Sequence, residues 1–532
     1  MSEIGTIETV FLLLLSFVVV FGLFARKLGA PYPIVMVIGG LLLSFLPMVP
    51  DISLNPDLIF LIVLPPLLYS SAWNTSWRDF RYNIANISLL AFGLVGFTVI
   101  GVALVAPHVF GGFDWRLGLV LGAVVAPTDA IAATSIARTI GLPARIVDIL
   151  EGESLINDAT GLLALEFATA ILVHKEIPTV SSGIFTLLWL TAGGVAIGLL
   201  IGWIVDHLER HIEDASIEIA ISILVPYAVY LAAEAAHASG VLAVVTCGLF
   251  LTGRSAHFFS PSVRLKVWSV WQALTFILNG IVFVLIGLQF PSIRASIHEY
   301  PLSTLLLSGA VFSLLLIALR LVWVFPGAYL SHFLLSRFAH RKEKPPRPRQ
   351  VFVIGWTGMR GVVSLAAALA LPTTLIDGSP FPHRGLILFL TFCVILVTLV
   401  LQGLTLPPLI RALGLAGESG PDCEELEARR IVTSAAVAHL EDAKLRDDSR
   451  SIEMYEDLAQ HYRHRLASLG QAEDTDEAIL HNRFLELSLE VLRVERETAI
   501  RLRNEGRIND TVLRRIEREL DLNESRLAGP EE

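Results

Sequence analysis

Three short stretches gather oxygen ligands and charge in a chain that is otherwise largely apolar. The first is Ala126-Pro127-Thr128-Asp129-Ala130. Proline lacks an N–H and clashes with the preceding turn, so a helix running through it should break. The break frees backbone carbonyls, Thr128 adds a hydroxyl and Asp129 a carboxylate. Such a crowd of oxygens suits a small hard cation. The competing reading is a plain proline kink with Asp129 bonded to a neighbouring helix. The second stretch is Glu151-Gly152-Glu153-Ser154-Leu155-Ile156-Asn157-Asp158. Ser154 and Asp158 are four apart and share one helical face, and Glu153 and Asn157 share the adjacent one. One face can offer a hydroxyl and a carboxylate to an ion, the other a carboxylate to a cation on another helix. The third stretch is Gly355-Trp356-Thr357-Gly358-Met359-Arg360-Gly361. Its glycines permit close backbone approach. Arg360 needs an anionic partner, and Glu153 is the expected one.

The elements that carry these stretches follow from hydropathy. The chain is 54% hydrophobic and 17% charged, against about 25% charged in soluble domains. A bilayer core of about 30 Å needs about 20 apolar residues per helix. Thirteen candidate spans follow, some of them short or interrupted by Gly and Pro, near 8–25, 33–50, 57–73, 86–106, 116–137, 145–173, 183–207, 217–236, 239–253, 268–290, 302–333, 351–372 and 385–410. An ionisable residue inside such a span is costly and is therefore a functional candidate. Asp129, Asp148, Glu151, Glu153, Asp158, Glu166, Glu234, Arg320 and Arg360 qualify, with Glu166 and Glu234 read as structural. Lys and Arg are concentrated on alternate loops, and the basic run Arg341 to Arg349 is read as a topology anchor on that side. This bias puts the N-terminus outside and the C-terminus inside. If spans 1–6 and 8–13 form two six-helix repeats joined by span 7, the repeats are inverted. The weakened spans 5 and 12 then occupy corresponding positions. Paired interrupted helices of this kind point to a mid-membrane binding site in a secondary transporter.

The formal net charge of −10 is unevenly placed. Residues 1–416 hold 22 acids and 23 bases, whereas residues 417–532 hold 28 acids and 17 bases. The chain therefore divides into a nearly neutral membrane body, 1–416, and an acidic helical tail, 417–532, expected inside. In the tail, Leu485, Leu489 and Leu492, then Ile508, Leu513, Ile516 and Leu520, recur at helical spacing, and Asn509 begins a helix-start signal. Its His461, His464 and Asp457 are read as a solvated face. No basic stripe suits nucleic acid, and membrane lipid is the expected surrounding. Cys247, Cys393 and Cys423 fit no ligand spacing. His-Glu-x-x-His and Gly-x-Ser-x-Gly are both absent from the sequence, which disfavours an intramembrane hydrolase. A cation channel using the same polar pathway is the rival from another class.

Pro127-Thr128-Asp129-Ala130, the Glu151 to Asp158 run and Gly358-Met359-Arg360-Gly361 together resemble the monovalent cation/proton antiporters. The likeness is to the bacterial form of their electroneutral sodium/proton exchanger branch. Leu64-Pro65-Pro66-Leu67-Leu68, Phe276-Ile277-Leu278-Asn279-Gly280 and Leu285-Ile286-Gly287-Leu288 fit the same pattern. The resemblance covers residues 10–410. It implies an all-α polytopic fold with crossed, broken helices 5 and 12, and a core moving against a dimerisation domain in a homodimer. It implies a bacterial inner-membrane location and no cofactor. One Na⁺, K⁺ or Li⁺ would exchange for one proton, in a role in pH and sodium homeostasis. Asp158 would carry the cation or the proton. Asp129, Ser154 and the Thr128 backbone would help bind the ion, and Asn157 would stand where electrogenic relatives have a second Asp. Glu153 and Arg360 would form a structural ion bridge. The tail would regulate, with a cytoplasmic regulator as a candidate partner. Ser70 takes the place of an acid that many relatives carry after the Pro-Pro of helix 3.

Overall fold

The computed structural model describes residues 3–46, 56–174, 180–212, 214–254, 261–297, 301–338, 345–375, 378–416, 421–446, 452–468, 476–505, 507 and 510–528. Arg341, Lys342 and Lys344 of the expected basic loop, and Ile508 and Asn509 of the tail, lie outside the described residues. Two compact units emerge, Met1–Glu418 and Ser419–Glu532.

The first unit is a helical bundle. In chain order its helices are α1 (Glu3–Leu28), α2 (Tyr32–Leu43), α3 (Pro56–Asn74), α4 (Trp77–Val109), α5a (Trp115–Val125) and α5b (Ala130–Ile140). They continue as α6 (Ala144–His174), α7 (Val180–Glu209), α8 (Ala215–Ala235), α9 (Gly240–Thr252) and α10 (Pro261–Leu288). The last are α11 (Leu302–Phe338), α12a (Pro348–Trp356), α12b (Val362–Leu369) and α13 (Arg384–Ala412). Ten helices among the described residues are long and apolar enough to cross a membrane. The other three expected spans fall on the shorter α2 and α9 and on the interrupted α12a–α12b. The span expected at 33–50 is thus shorter than its hydropathy implied.

Helix starts are set by side chains that accept the free N–H groups of the first turn. Asp114 accepts from Leu117 N at 2.9 Å and starts α5a. Asp214 accepts from Ser216 N and Ile217 N and starts α8. Ser239 does the same for α9 through Leu242 N. With apolar surface no longer a driving force in lipid, helices are drawn together by close packing at small residues. A Cβ at Gly40 would strike the Val284 carbonyl, and one at Gly287 would strike the Val37 carbonyl, so α2 and α10 touch backbone to backbone. Gly118 and Gly122 lie against Ala103 and Val99 and join α5a to α4 in the same way.

The second unit contains α14 (Pro421–Arg446), α15 (Ile452–Ser468), α16 (Asp476–Asn504) and α17 (Asp510–Ala528). Ala459, Leu492, Ala499, Leu513 and Leu520 form its buried contacts. Ion pairs cross between helices, from Lys444 to Glu456 at 2.5 Å and from Arg496 to Asp521 at 2.6 Å and Glu524 at 2.7 Å. Such exposed pairs are screened by solvent and contribute little to stability. The hydrogen bond from Lys444 holds the Glu456 carboxyl below its usual 4.5. That contact therefore stabilises the unit above the ordinary carboxylate range and weakens as pH falls through the depressed value. His461 is exposed, as expected of a solvated face, and its ring also stands edge-on to Phe484 at 5.4 Å, between α15 and α16.

Candidate functional site

The backbone opens in two places. Helix α5 stops at Val125 and resumes at Ala130, with Pro127, Thr128 and Asp129 between the halves. Helix α12 stops at Trp356 and resumes at Val362, across Thr357 to Gly361. The two unwound segments cross. Asp129 N donates to the Met359 carbonyl at 2.8 Å, and Ser364 Oγ donates to the Pro127 carbonyl at 3.4 Å. Non-helical backbone is tolerated at membrane depth only where its polar groups find such partners. The approach is close enough that a Cβ at Gly361 would overlap the Asp129 carboxylate. Gly161 of α6 likewise leaves room for the Pro127 ring.

Arg360 locks this crossing. Its Nε donates to the Val125 carbonyl at 3.2 Å, at the end of α5a, and its Nη1 donates to the Gly358 carbonyl. Its own N–H reaches Thr398 Oγ1 on α13 at 3.1 Å. A cation placed at the negative C-terminal end of a half-helix is favourable. Arg360 is therefore occupied by backbone carbonyls. The expected pairing with Glu153 does not form. Glu153 instead pairs with Arg320 of α11, Nη1 to Oε1 at 2.5 Å and Nη2 to Oε2 at 2.9 Å. Both residues are almost wholly buried, at 1% exposure each. Arg320 also donates to the Ile354 carbonyl at 3.1 Å, which ties the pair to α12a. The planar guanidinium meets a carboxylate with two parallel bonds, a geometry that a point charge cannot match.

Helix α6 divides its work by face. Glu153 Oε1 accepts from Thr128 Oγ1 at 3.0 Å, and Asn157 Nδ2 donates to Thr128 Oγ1 at 2.6 Å and to the Thr128 carbonyl at 3.4 Å. Ser154 Oγ donates to the same carbonyl at 3.0 Å and accepts from Ala130 N at 3.3 Å. The Thr128 carbonyl thus has both lone pairs engaged by α6 rather than free for an ion. Asn157 belongs to this bracing network and does not line the cavity, while its Oδ1 is buried without a partner.

Thr128, Asp129, Ser154, Asp158, Ser71 and Gly361 are among the residues around a cavity of about 60 Å³ at the crossing. This is room for something on the order of two water molecules. Asp158 is 7% exposed, and among the described residues no group donates a hydrogen bond to its carboxylate. Asp129 Oδ1 accepts from Ile131 N at 2.8 Å, which leaves Oδ2 available. Ser154 keeps one lone pair. Asp158, Asp129 Oδ2 and Ser154 Oγ therefore offer oxygens to a cation at this cavity. Ser70 is buried, and its neighbour Ser71 is the one that reaches the cavity. Glu166 and Glu234 line a separate cavity with His237. Arg320 and Thr398 were not expected at the site. Arg320 had a signal, as the lone charge in the apolar span 302–333, whereas Thr398 had none.

The model of the sodium/hydrogen exchanger transmembrane family matches residues 12–412. An uncharacterized Na⁺/H⁺ exchanger of Mycobacterium tuberculosis is 34% identical over 515 residues, covering 94% of this chain and 92% of that protein. A Bacillus pumilus protein named as a sodium, potassium, lithium and rubidium/H⁺ antiporter is 32% identical, covering 82% of this chain and 66% of that protein. Among solved structures, the sodium proton antiporter MjNhaP1 of Methanocaldococcus jannaschii matches with a TM-score of 0.60 at 19% identity. The match covers 79% of this chain and 100% of that one, and this likeness is one of fold.

Proposed function

Because this chain belongs to the sodium/hydrogen exchanger family, whose members transport ions and are not enzymes, we propose that it exchanges one monovalent cation for one proton at Asp158. The carrying observation is a charge balance. Around the crossing, Glu153 is paired with Arg320, Arg360 is held by backbone carbonyls, and the carboxylates of Asp129 and Asp158 line a cavity with no basic residue in its lining. Glu153 and Arg320 cancel, which leaves the two acids of the cavity without a paired cation among the described residues. Asp129 is met by one backbone N–H, whereas among the described residues the Asp158 carboxylate accepts no hydrogen bond. A buried charge without compensation is costly, and either one proton or one cation removes the cost. The two therefore compete, and the loaded site has the same charge with either.

In this reading Asp158 holds the cation or the proton, with Asp129 and Ser154 completing the ligands. Thr128 and Asn157 brace the loop, and the Thr128 carbonyl joins the ligands only if it turns away from α6. Alternating access carries the loaded site from one side to the other. Na⁺ is the proposed cation, with K⁺ and Li⁺ as the alternatives. The setting is a homodimer in a bacterial inner membrane, N-terminus outside, with the acidic tail as a cytoplasmic regulatory element. The Lys and Arg bias of the loops supports that orientation.

The test is reconstitution of the full chain into liposomes with a trapped pH dye and a clamped membrane potential. Na⁺ added outside should alkalinise the lumen at a rate that clamping at zero or at a large negative potential leaves unchanged. Li⁺, K⁺ and Rb⁺ in the same assay rank the cations. Cation flux driven by voltage alone, with no opposing ion, would mean a channel and would overturn the proposal.

A further inference from the structure

A cavity of about 790 Å³, far larger than the one at the crossing, opens between α1, α2, α5b, α10 and α13. Val19, Leu23, Ile136 and Phe276 form part of its apolar wall. Val19 and Leu23 are 57% and 66% exposed, so the wall continues onto the outer face of α1. In a membrane that face meets acyl chains. Two guanidiniums line the same cavity, Arg26 and Arg411. They sit in the last turns of α1 and α13, so two separate helices bring a basic residue to one cavity. No acidic residue lines the cavity, and among the described residues neither side chain has a hydrogen-bond or ion-pair partner. A cation at a helix C-terminus is ordinary by itself. Two that converge on an apolar cavity open along a membrane helix are not explained by that effect. Basic pockets between membrane helices hold anionic lipid headgroups, and the volume falls in the range of about 300–1,000 Å³ usual for bound ligands.

We propose that this cavity is a binding site for one anionic phospholipid, its phosphate held by Arg26 and Arg411 and an acyl chain lying against Val19, Leu23 and Phe276. The charge decides the class of lipid: a zwitterionic headgroup brings its own cation toward two guanidiniums. The apolar wall decides the source: a free phosphate ester fills only the rim. The proposal is independent of the transported ion.

The full chain, extracted in detergent and washed identically for each variant, is assayed for co-purifying lipid by mass spectrometry and for melting temperature on addition of phosphatidylglycerol. The wild type should retain phosphatidylglycerol in preference to phosphatidylethanolamine, and its melting temperature should rise with added phosphatidylglycerol but not with glycerol 3-phosphate. R26Q/R411Q should lose both effects. K27Q removes a neighbouring charge that does not line the cavity, and should retain both. Ala30→Leu, which narrows the cavity and keeps both arginines, should lower retention even if the double variant fails to fold. Equal retention by wild type and Ala30→Leu, equal loss in K27Q, or stabilisation by glycerol 3-phosphate alone would each overturn the proposal.

Discussion

Asp158→Asn should give a chain that reaches the membrane, melts no lower than the wild type, and exchanges ions no faster than empty vesicles. The two halves of this result have one cause. Asp158 is buried and accepts no hydrogen bond among the described residues, so its charge is uncompensated until a proton or a cation arrives. Asparagine keeps the shape and removes that charge, so no stabilising contact is lost. It also removes the carboxylate at which, in this reading, proton and cation displace one another. Folding is read by thermal melting in detergent and exchange by the pH-dye assay. A variant that melts as the wild type does yet still exchanges would take Asp158 out of the mechanism.

The second large effect concerns Arg320. Arg320→Met should cost about 3–5 kcal/mol, because Glu153 is left as a bare buried charge. Glu153→Leu should cost a comparable amount for the mirror reason, and the double variant should recover most of the loss. The pair fully satisfies one face of the carboxylate with two bonds, at 2.5 Å and 2.9 Å. Arg360→Met should behave differently. It removes caps on Val125 and Gly358 and, with no direct bond to Glu153, should couple to it more weakly than Arg320 does. Double-mutant cycles on melting measure this contrast directly. Strong coupling of Glu153 to Arg360, with none to Arg320, would reverse the assignment of the ion bridge. Arg320→Met should also slow exchange, since Glu153 holds Thr128 through its hydroxyl.

These two residues show what a linear sequence can and cannot convey. The break at Pro127 and the weakness around Gly358 and Gly361 were legible, because proline and glycine act on the backbone at their own positions. The faces of α6 were legible too. Residues four apart stay together on a helix, so Ser154 and Asp158 meet one cavity while Glu153 and Asn157 meet Thr128. Which distant cation would reach Glu153 was not legible. Spacing along α6 fixes the direction of a side chain, whereas the packing of α11 against α12a decides what waits there. Arg320 and Arg360 were equally plausible by charge alone. The same limit applies to Ser70 and Ser71, neighbours that point about 100° apart on α3, of which only Ser71 reaches the cavity. The Thr128 carbonyl was expected to face the ion. It faces α6 because Ser154 and Asn157 both bond it, a convergence that no single segment reveals.

The central claim is competition of one proton with one cation at one carboxylate. Its most direct measurement is a Na⁺ titration of exchange rate in proteoliposomes at a series of pH values. The apparent KM for Na⁺ should rise as pH falls, by about tenfold per unit once protons dominate the site. The rate at saturating Na⁺ should stay constant over the same range. An apparent KM that does not move with pH, with the maximal rate falling instead, would mean that proton and cation bind at different places and would contradict the account.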